Sequence, residues 1–292
     1  RVTHRVSAAG AVTRYFYDAN GNLTESRVYA NTIALPPNAT GAAPSGSGNY
    51  RVTQYEYDSL NRLIKTIVPN VTTAAYGSSL TVSTAPLETA YLYDALGNLV
   101  RVTDPKGAQT WSYYDKLGRK LVQIDAAGYR TDWAYDADGN VVEERRYATA
   151  GNAATDPQSP PAAPAQNAAD RVTAFTYDAM GRRLTETRLN VSVHNGAGGH
   201  TVQNAVIAYT YNALGQVASK REATGDVISY DYDLGGRMTR ERRHLNGQSY
   251  SFTDVNGVNV TPTVEYAYNG LSDLSLSKAV GAGAAGDRIT RY

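Results

Sequence analysis

The stretch Tyr91-Leu92-Tyr93-Asp94-Ala95-Leu96-Gly97-Asn98-Leu99 decides what kind of protein this chain forms. Its central element, an aromatic residue followed one or two positions later by a tyrosine and then by Asp or Asn, recurs nine times in 292 residues. A short unit repeated in this way is typical of an array in which each unit buries its apolar surface against its neighbours. We therefore predict a repeat protein built on nine tyrosines: Tyr17, Tyr57, Tyr93, Tyr114, Tyr135, Tyr177, Tyr211, Tyr232 and Tyr268.

The composition suits a thin wall and excludes several functions. There are 23 Tyr against 3 Phe, and tyrosine combines an apolar ring with a hydroxyl that can stay hydrated. The 28 Lys and Arg are interspersed with 27 Asp and Glu, so the basic stripe of a nucleic-acid-binding protein is missing. The chain has no Cys, which excludes disulfides and thiolate metal sites. No apolar run is long enough to span a bilayer. Because the chain begins with Arg1 and no leader follows, we interpret it as part of a longer polypeptide.

Regular turn signals predict short antiparallel strands. Asp at the first turn position accepts backbone hydrogen bonds, and Gly at the fourth tolerates positive φ. Between such turns lie six or seven residues, an ordinary strand length. Within a strand the aromatic residues fall on one face, while the residue between them varies. We predict an all-β antiparallel meander without long helices, with motif aromatics stacked across neighbouring strands and turns starting at Asp94, Asp104, Asp115, Asp125 and Asp136.

A longer period lies above the short one. The motif tyrosines 17, 57, 93 and 114 recur as 135, 177, 211 and 232, at offsets of 118, 120, 118 and 118 residues. We predict one continuous array over residues 1–292, divided into supermodules at about 14–131 and 132–249, with a third beginning at 250–292. Long insertions at 30–49 and 148–170, and shorter ones at 71–87 and 191–206, occupy equivalent places. Their composition predicts protruding loops or extended hairpins.

The repeated Tyr-x-Tyr-Asp-x-x-Gly-Asn/Arg-Leu pattern resembles the YD repeats of the Rhs family, over about residues 11 to 274. That family includes bacterial polymorphic toxins, the C subunits of insecticidal toxin complexes, wall-associated proteins and teneurins. The resemblance implies a β-hairpin meander that spirals into a hollow shell, so that this chain would be a fragment of a β-cocoon. In the toxin members the shell encloses a C-terminal toxic domain that is released by self-cleavage.

The chain departs from the family pattern at several positions. Asn61 replaces the turn Gly, and Asn212 and Asn269 replace the turn Asp; these changes are benign because Asn tolerates turn conformations. The Asp-Pro-rich cleavage motif of the family is missing, since Asp104-Pro105 and Asp156-Pro157 both lack its context. Neither the protease nor the toxin is therefore carried over to this sequence.

Candidate chemical sites are better interpreted as structural. His194 and His200 lie six apart, which is not a standard metal pairing along a helix or a strand. Asp136-Ala137-Asp138-Gly139-Asn140 resembles the start of a calcium loop, as does the turn at Asp18, but Gly comes two residues too early. Turn-capping is the favoured interpretation and calcium the alternative. We predict no catalytic, cofactor-binding or metal-binding residues, no cofactor and no enzymatic activity.

The function predicted from the resemblance is structural. We expect a shell segment of a secreted bacterial Rhs-type protein that encapsulates a C-terminal toxin or effector and helps to deliver it. Its partners would be the rest of its own polypeptide and a delivery or secretion apparatus, with no nucleic acid and no membrane span. The alternative is an extracellular or cell-surface adhesion module that binds a carbohydrate or protein ligand. The nearly balanced charge and the one-sided aromatic face favour a curved wall around a solvated interior.

Overall fold

The computed structural model describes residues 1–7, 9–32, 49–76, 80–194, 199–244, 252–253, 259–260, 263–280 and 288–291. Every regular element among them is a β-strand, so the predicted all-β class is confirmed. Residues 33–48 of the predicted insertion at 30–49 lie outside the described residues. The chain divides into two compact units, one formed by Arg1–Arg130 and Ala150–Pro164, the other by Thr131–Thr149 and Ala165–Tyr292. The predicted division into supermodules stays a prediction.

The first unit is a meander in which each strand pairs antiparallel with the next one along the chain. This arrangement follows from short connections, which join antiparallel neighbours most easily. Its strands are β1 (His4–Val6), β2 (Ala11–Tyr17), β3 (Leu23–Thr32), β4 (Tyr50–Tyr57), β5 (Leu63–Tyr76), β6 (Leu80–Tyr93), β7 (Leu99–Thr103), β8 (Gln109–Tyr114) and β9 (Lys120–Ile124).

The second unit repeats the same architecture. Its strands also pair in chain order, except that β17 pairs with β20 and that β18 and β19 form a separate pair between them. They are β10 (Arg130–Tyr135), β11 (Val141–Arg146), β12 (Arg171–Tyr177), β13 (Arg183–His194), β14 (His200–Tyr211), β15 (Val217–Arg221), β16 (Val227–Tyr232), β17 (Met238–His244), β18 (Phe252–Thr253), β19 (Asn259–Val260), β20 (Thr263–Tyr268), β21 (Leu274–Val280) and β22 (Arg288–Arg291).

Two shorter insertions form extended hairpins, as predicted. One is β5–β6 and the other β13–β14. Each contains a register shift at an asparagine in the left-handed region, Asn70 with φ 55° and Asn190 with φ 54°. Asparagine is one of the few residues that adopt this conformation readily. The bulge lets the strand continue past the width of the meander without losing its partner.

The long insertion at 148–170 does not protrude as predicted. In the first unit its Ala154 is buried in a cluster with Trp111, Tyr113, Val122 and Ile124. The segment therefore covers one face of β8 and β9 with apolar contacts that its Pro/Ala-rich composition did not indicate.

Polar contacts at both ends hold this segment in place. The Tyr113 hydroxyl donates to the Asp156 carbonyl at 3.0 Å, and Nη1 of Arg130 donates to the Pro161 carbonyl at 2.6 Å. The backbone N–H of Gly151 donates to the carbonyl of Gly128 at 3.0 Å. Hydrogen bonds to backbone carbonyls need no particular side chain on the insertion, which explains why its sequence gave no sign of them.

In the second unit, the base of the same insertion is held by a buried carboxylate. Asp170 is 6% exposed. Its Oδ1 accepts the Ala148 N–H at 3.0 Å and its Oδ2 accepts the Asn167 N–H at 3.2 Å. Nη1 of Arg145 lies 3.7 Å from Oδ2. A buried charge needs such partners, and Asp170 obtains them from both sides of the insertion.

Candidate functional site

The Tyr-Asp turns are built by one local hydrogen-bonding pattern. At Asp94 the backbone carbonyl accepts the Gly97 N–H at 3.2 Å, and the Asp94 N–H donates to the Asn98 carbonyl at 3.0 Å. The side-chain Oδ1 accepts the N–H groups of Leu96 at 2.9 Å and Asn98 at 2.8 Å. Gly97 has φ 91°, as the left-handed residue of a bulged three-residue hairpin requires. The aspartate thus fixes the turn, and the strand register shifts at the tyrosine before it.

The second carboxylate oxygen of each turn binds the side chain four residues later. In Arg copies the Nε donates to Oδ2, at 2.7 Å for Arg62 with Asp58 and 2.6 Å for Arg119 with Asp115. In Asn copies the amide nitrogen replaces it, at 2.8 Å for Asn98 with Asp94. The variable Asn/Arg position of the motif therefore has one requirement, a hydrogen-bond donor.

In the two turns that begin with asparagine, the donor and the acceptor of this side-chain hydrogen bond are exchanged. Asn212 uses Oδ1 to accept the N–H groups of Leu214 and Gln216, both at 3.0 Å, and its Nδ2 donates to Oε1 of Gln216 at 2.9 Å. Asn269 likewise donates from Nδ2 to Oδ2 of Asp273 at 3.2 Å. Where the first residue becomes a donor, the residue four positions later is an acceptor. The substitutions are benign because the pair changes together.

The predicted turn-capping is present at Asp136. Oδ1 of Asp136 accepts the Asn140 N–H at 2.8 Å and Oδ2 accepts the Asn140 amide at 3.0 Å, so turn-capping is confirmed there. Asp18 is bonded in the same manner by Gly21 and Asn22. Within the described ranges no group of three His, Cys, Asp or Glu residues is placed to hold a metal ion.

The turn carboxylates are held in their ionised form. The Arg62 backbone N–H keeps the pKa of Asp58 below its usual 3.8, and the Arg62 side chain adds to the effect. At Asp178 the side-chain hydrogen bond from Arg182 is the largest cause of a lowered pKa. Hydrogen bonds that favour the charged form always act in this direction. The turns are therefore built for the carboxylate and not for the carboxylic acid.

At eight of the motif positions, the tyrosine joins its own hairpin to the one before it. Its hydroxyl donates to the carbonyl of the first residue in the preceding strand, so the contact links two successive hairpins across the sheet. The distance from hydroxyl to carbonyl oxygen is 2.7 to 3.0 Å in seven pairs: Tyr57 with Leu23, Tyr93 with Leu63, Tyr114 with Leu99, Tyr177 with Val141, Tyr211 with Arg183, Tyr232 with Val217 and Tyr268 with Met238. Tyr17 makes the same bond to Val2, which precedes β1, at 2.8 Å.

Arginines of the turns cover several of these rings. The guanidinium carbon lies 4.8 Å from the ring centre for Arg62 and Tyr93, and 4.6 Å for Arg182 and Tyr211. In both pairs the arginine belongs to the preceding hairpin. A ring face of each of these tyrosines therefore contacts a cation, and the predicted stacking of motif aromatics on one another stays a prediction. Each arginine closes its own turn and contacts the next hairpin.

Large apolar side chains are exposed at the tips of the Tyr-Asp turns. In the first unit they are 68 to 78% exposed, at Leu60, Leu96 and Leu117. In the second unit the exposed tips are Met180, Leu214, Leu234 and Leu271. Because turns alternate between the two ends of a meander, the tips of one unit all lie along the same sheet edge. An apolar row of this kind is typical of a contact surface.

A cleft of about 730 Å³ lies on the second unit, over strands β11 to β13. Charged residues line it together with Phe175 and residues of the stretches 168–172 and 189–192. Its charged residues are Glu144, Arg146, Asp170, Arg171, Glu186 and Arg188.

The histidines occupy separate positions in the fold. His4 contacts the Thr3 hydroxyl at 3.1 Å, and Nε2 of His244 lies 3.2 Å from the Ser229 hydroxyl. His194 and His200 lie opposite each other on β13 and β14. Sequence reasoning missed this pair because it considered spacing along one strand only. It also missed the Asn212–Gln216 exchange, although both residues are visible at the expected spacing.

The structure defines a β-hairpin repeat protein, and comparisons with known proteins show which repeats it resembles. The RHS Repeat family model matches residues 1–34, 93–120, 114–152 and 211–249. A curated relative, the probable deoxyribonuclease RhsB of Dickeya dadantii (strain 3937), is 27% identical over 200 residues. That alignment covers 64% of this chain and 13% of the relative, so the chain spans only about an eighth of its length. The chain therefore carries repeats of the Rhs/YD type over these matched stretches.

Solved structures were matched at lower similarity. The chain is similar to one in the crystal structure of TcdB2-TccC3-Cdc42, with 14% identity, a TM-score of 0.30, and coverage of 97% of this chain and 17% of that one. It also matches a porin-like protein from Bacteroides uniformis with 10% identity, a TM-score of 0.30, and coverage of 82% and 88%. Within the described residues no helix is long and apolar enough to cross a membrane.

Proposed function

We propose that this chain is a wall segment of an Rhs-type protein that encloses a toxic C-terminal part of its own polypeptide and helps to deliver it. The observation that carries the proposal is the tyrosine-to-carbonyl bond, repeated from hairpin to hairpin. It makes each hairpin a support for the next. The match to RHS repeats supports a structural role for the region.

The proposed wall is a container and not a catalyst. The deoxyribonuclease in the name of the Dickeya relative belongs to a protein of which this chain matches 13%. We assign no catalytic, cofactor-binding or nucleic-acid-binding role to the repeats. The balance of 28 basic and 27 acidic residues favours a surface that holds varied cargo without binding one strongly. The toxin cargo, the secreted location, the bacterial source and the delivery apparatus are parts of the same proposal.

Limited proteolysis of the complete polypeptide tests encapsulation. We expect a segment outside the repeats to resist protease in the wild type. It should become cleavable when Tyr57→Phe and Tyr93→Phe loosen successive hairpins, and the control Tyr91→Phe should leave it protected. If all sequence outside the repeats is equally sensitive in the wild type, the proposal is wrong.

A binding surface is the second candidate function. The 730 Å³ cleft over β11 to β13 favours it, because mixed charges beside Phe175 suit a polar carbohydrate or peptide ligand. A labelled chain should then bind target cells, and Arg188→Ala should weaken that binding while Arg243→Ala on β17 should not. Encapsulation instead predicts no saturable cell binding by the isolated repeats.

A further inference from the structure

His194 and His200 face each other across the end of the β13–β14 hairpin. The register pairs Val193 with Thr201 and His194 with His200. Directly opposed residues of an antiparallel pair project to the same side of the sheet, with Cβ atoms about 4.5–5.5 Å apart. The spacing of six residues, which argues against a metal pair on one strand, is therefore irrelevant here. The pairing of the two strands brings the imidazoles together.

The distance between the rings matches the distance that coordination requires. The ring centres lie 5.4 Å apart with an interplanar angle of 64°. Zinc binds imidazole nitrogen at about 2.0–2.1 Å, which places two rings on one tetrahedral ion with their centres about 5 Å apart. Side-chain rotations alone can therefore aim one nitrogen of each ring at a common ion, and the backbone need not move.

The surroundings select the kind of ion. Both histidines are exposed, and the flanking stretches 189–193 and 201–204 contain no charged residue. No Lys or Arg in these stretches repels a cation, and no carboxylate supplies the oxygen ligands that Ca²⁺ and Mg²⁺ prefer. Imidazole pairs suit Zn²⁺, Ni²⁺ and Cu²⁺.

We propose that His194 and His200 form a two-histidine site for a divalent transition-metal ion, with water in the remaining positions. A bound ion would connect β13 to β14 at the end of the hairpin that projects beyond the meander. This local connection is compatible with a fold that needs no metal, because the site lies far along the hairpin from the Tyr-Asp turns.

Metal titration of the whole chain tests the site. Isothermal titration with Zn²⁺ or Ni²⁺ at neutral pH should show one ion bound per chain, and Mg²⁺ should show none. His194→Ala and His200→Ala should each weaken binding at least tenfold. The matched control His244→Ala should leave it unchanged, since His244 contacts Ser229 on another hairpin.

Copper spectroscopy provides a readout that a change in stability would not produce. With one equivalent of Cu²⁺, electron paramagnetic resonance should show coupling to two imidazole nitrogens in the wild type and to fewer in either single variant. Circular dichroism should show all three variants folded. If Zn²⁺ binding survives both single substitutions, or falls equally in His244→Ala, the proposal is overturned.

Discussion

At the scale of single residues, the repeat conserves a hydrogen-bond relationship and not a residue identity. Asp178 presents two acceptor oxygens, one to the backbone and one to Arg182. Asn212 presents one acceptor and one donor, and Gln216 supplies the matching acceptor. Arginine has donors only, whereas glutamine can present either its oxygen or its nitrogen. Donor and acceptor must therefore be exchanged at both positions together.

A double-mutant cycle tests this relationship. Asp178→Asn should lower the thermal unfolding midpoint when Arg182 is present, because the new amide group meets the donor Nε of arginine. In an Arg182→Gln background the same change should be nearly neutral, since glutamine rotates to present Oε1 as Gln216 does. Thermal melts followed by circular dichroism for the wild type, the two single variants and the double variant give the coupling between positions 178 and 182. Equal losses in both backgrounds would contradict the idea.

The ionised turn carboxylates predict a direction for acid unfolding. The pKa values of Asp58, Asp115 and Asp233 are lowered below 3.8 chiefly by backbone hydrogen bonds. A group whose pKa is lower in the folded state stabilises the fold above its unfolded pKa, and the contribution disappears as the pH falls through the folded value. The unfolding midpoint should therefore be flat near neutrality and fall below about pH 4. An unfolding midpoint that rises as the pH is lowered would contradict this prediction.

At the scale of the element, the hairpin is complete only when the next one donates its tyrosine. The Tyr93 hydroxyl donates to the Leu63 carbonyl at 2.9 Å, while Arg62 covers its ring. Burial raises the pKa of Tyr93, so the hydroxyl keeps its proton to donate. The bond gives the backbone carbonyl at the start of β5 a hydrogen-bond donor from β6.

Removal of this single hydroxyl should have a measurable cost. Tyr93→Phe keeps the ring and its contact with Arg62, and loses only the bond to Leu63. We expect the unfolding free energy to fall by about 1 kcal/mol. The control is Tyr91→Phe, because in the described part of the chain the Tyr91 hydroxyl has no hydrogen-bond partner. Urea denaturation of both variants makes the comparison, and equal effects would show that the bond contributes nothing.

The sequence predicted what depends on local chemistry. Asp94 and Gly97 determine their turn within four residues, so the turns and the all-β class could be predicted from the sequence. The acceptor of Tyr93 lies 30 residues away in the chain and that of Tyr114 only 15, because insertions separate some hairpins and not others. The opposition of His194 and His200 depends on the register beyond the bulge at Asn190, which no local pattern reveals.

At the scale of the whole molecule, each unit has little buried apolar material. The buried hydrophobic residues of the described chain are ten, and five of them form the cluster around Trp111. Ala154 of the long insertion completes that cluster. A repeat array gains stability from many equal contacts between neighbours. The insertion adds a local core to the first unit.

Substitution of Ala154 should release the insertion. Ala154→Glu places an unpaired charge among Trp111, Tyr113 and Ile124, which is strongly unfavourable. We expect subtilisin to cut within residues 150–164 of the variant but not of the wild type, and tryptophan emission to shift to longer wavelength. Ala153→Glu is the matched control, because Ala153 is exposed. If both variants are cut alike, the insertion is not anchored at Ala154.

The tyrosine bonds also determine how such an array responds to force. A hairpin pulled from one end loses its own strand pairing, the strand pairing to its neighbour and the tyrosine hydroxyl contact, and the remaining hairpins keep theirs. The applied force therefore breaks the bonds of one hairpin at a time, and the chain unfolds in steps of one hairpin. We therefore expect such an array to unravel from an end at a nearly constant force rather than to unfold all at once.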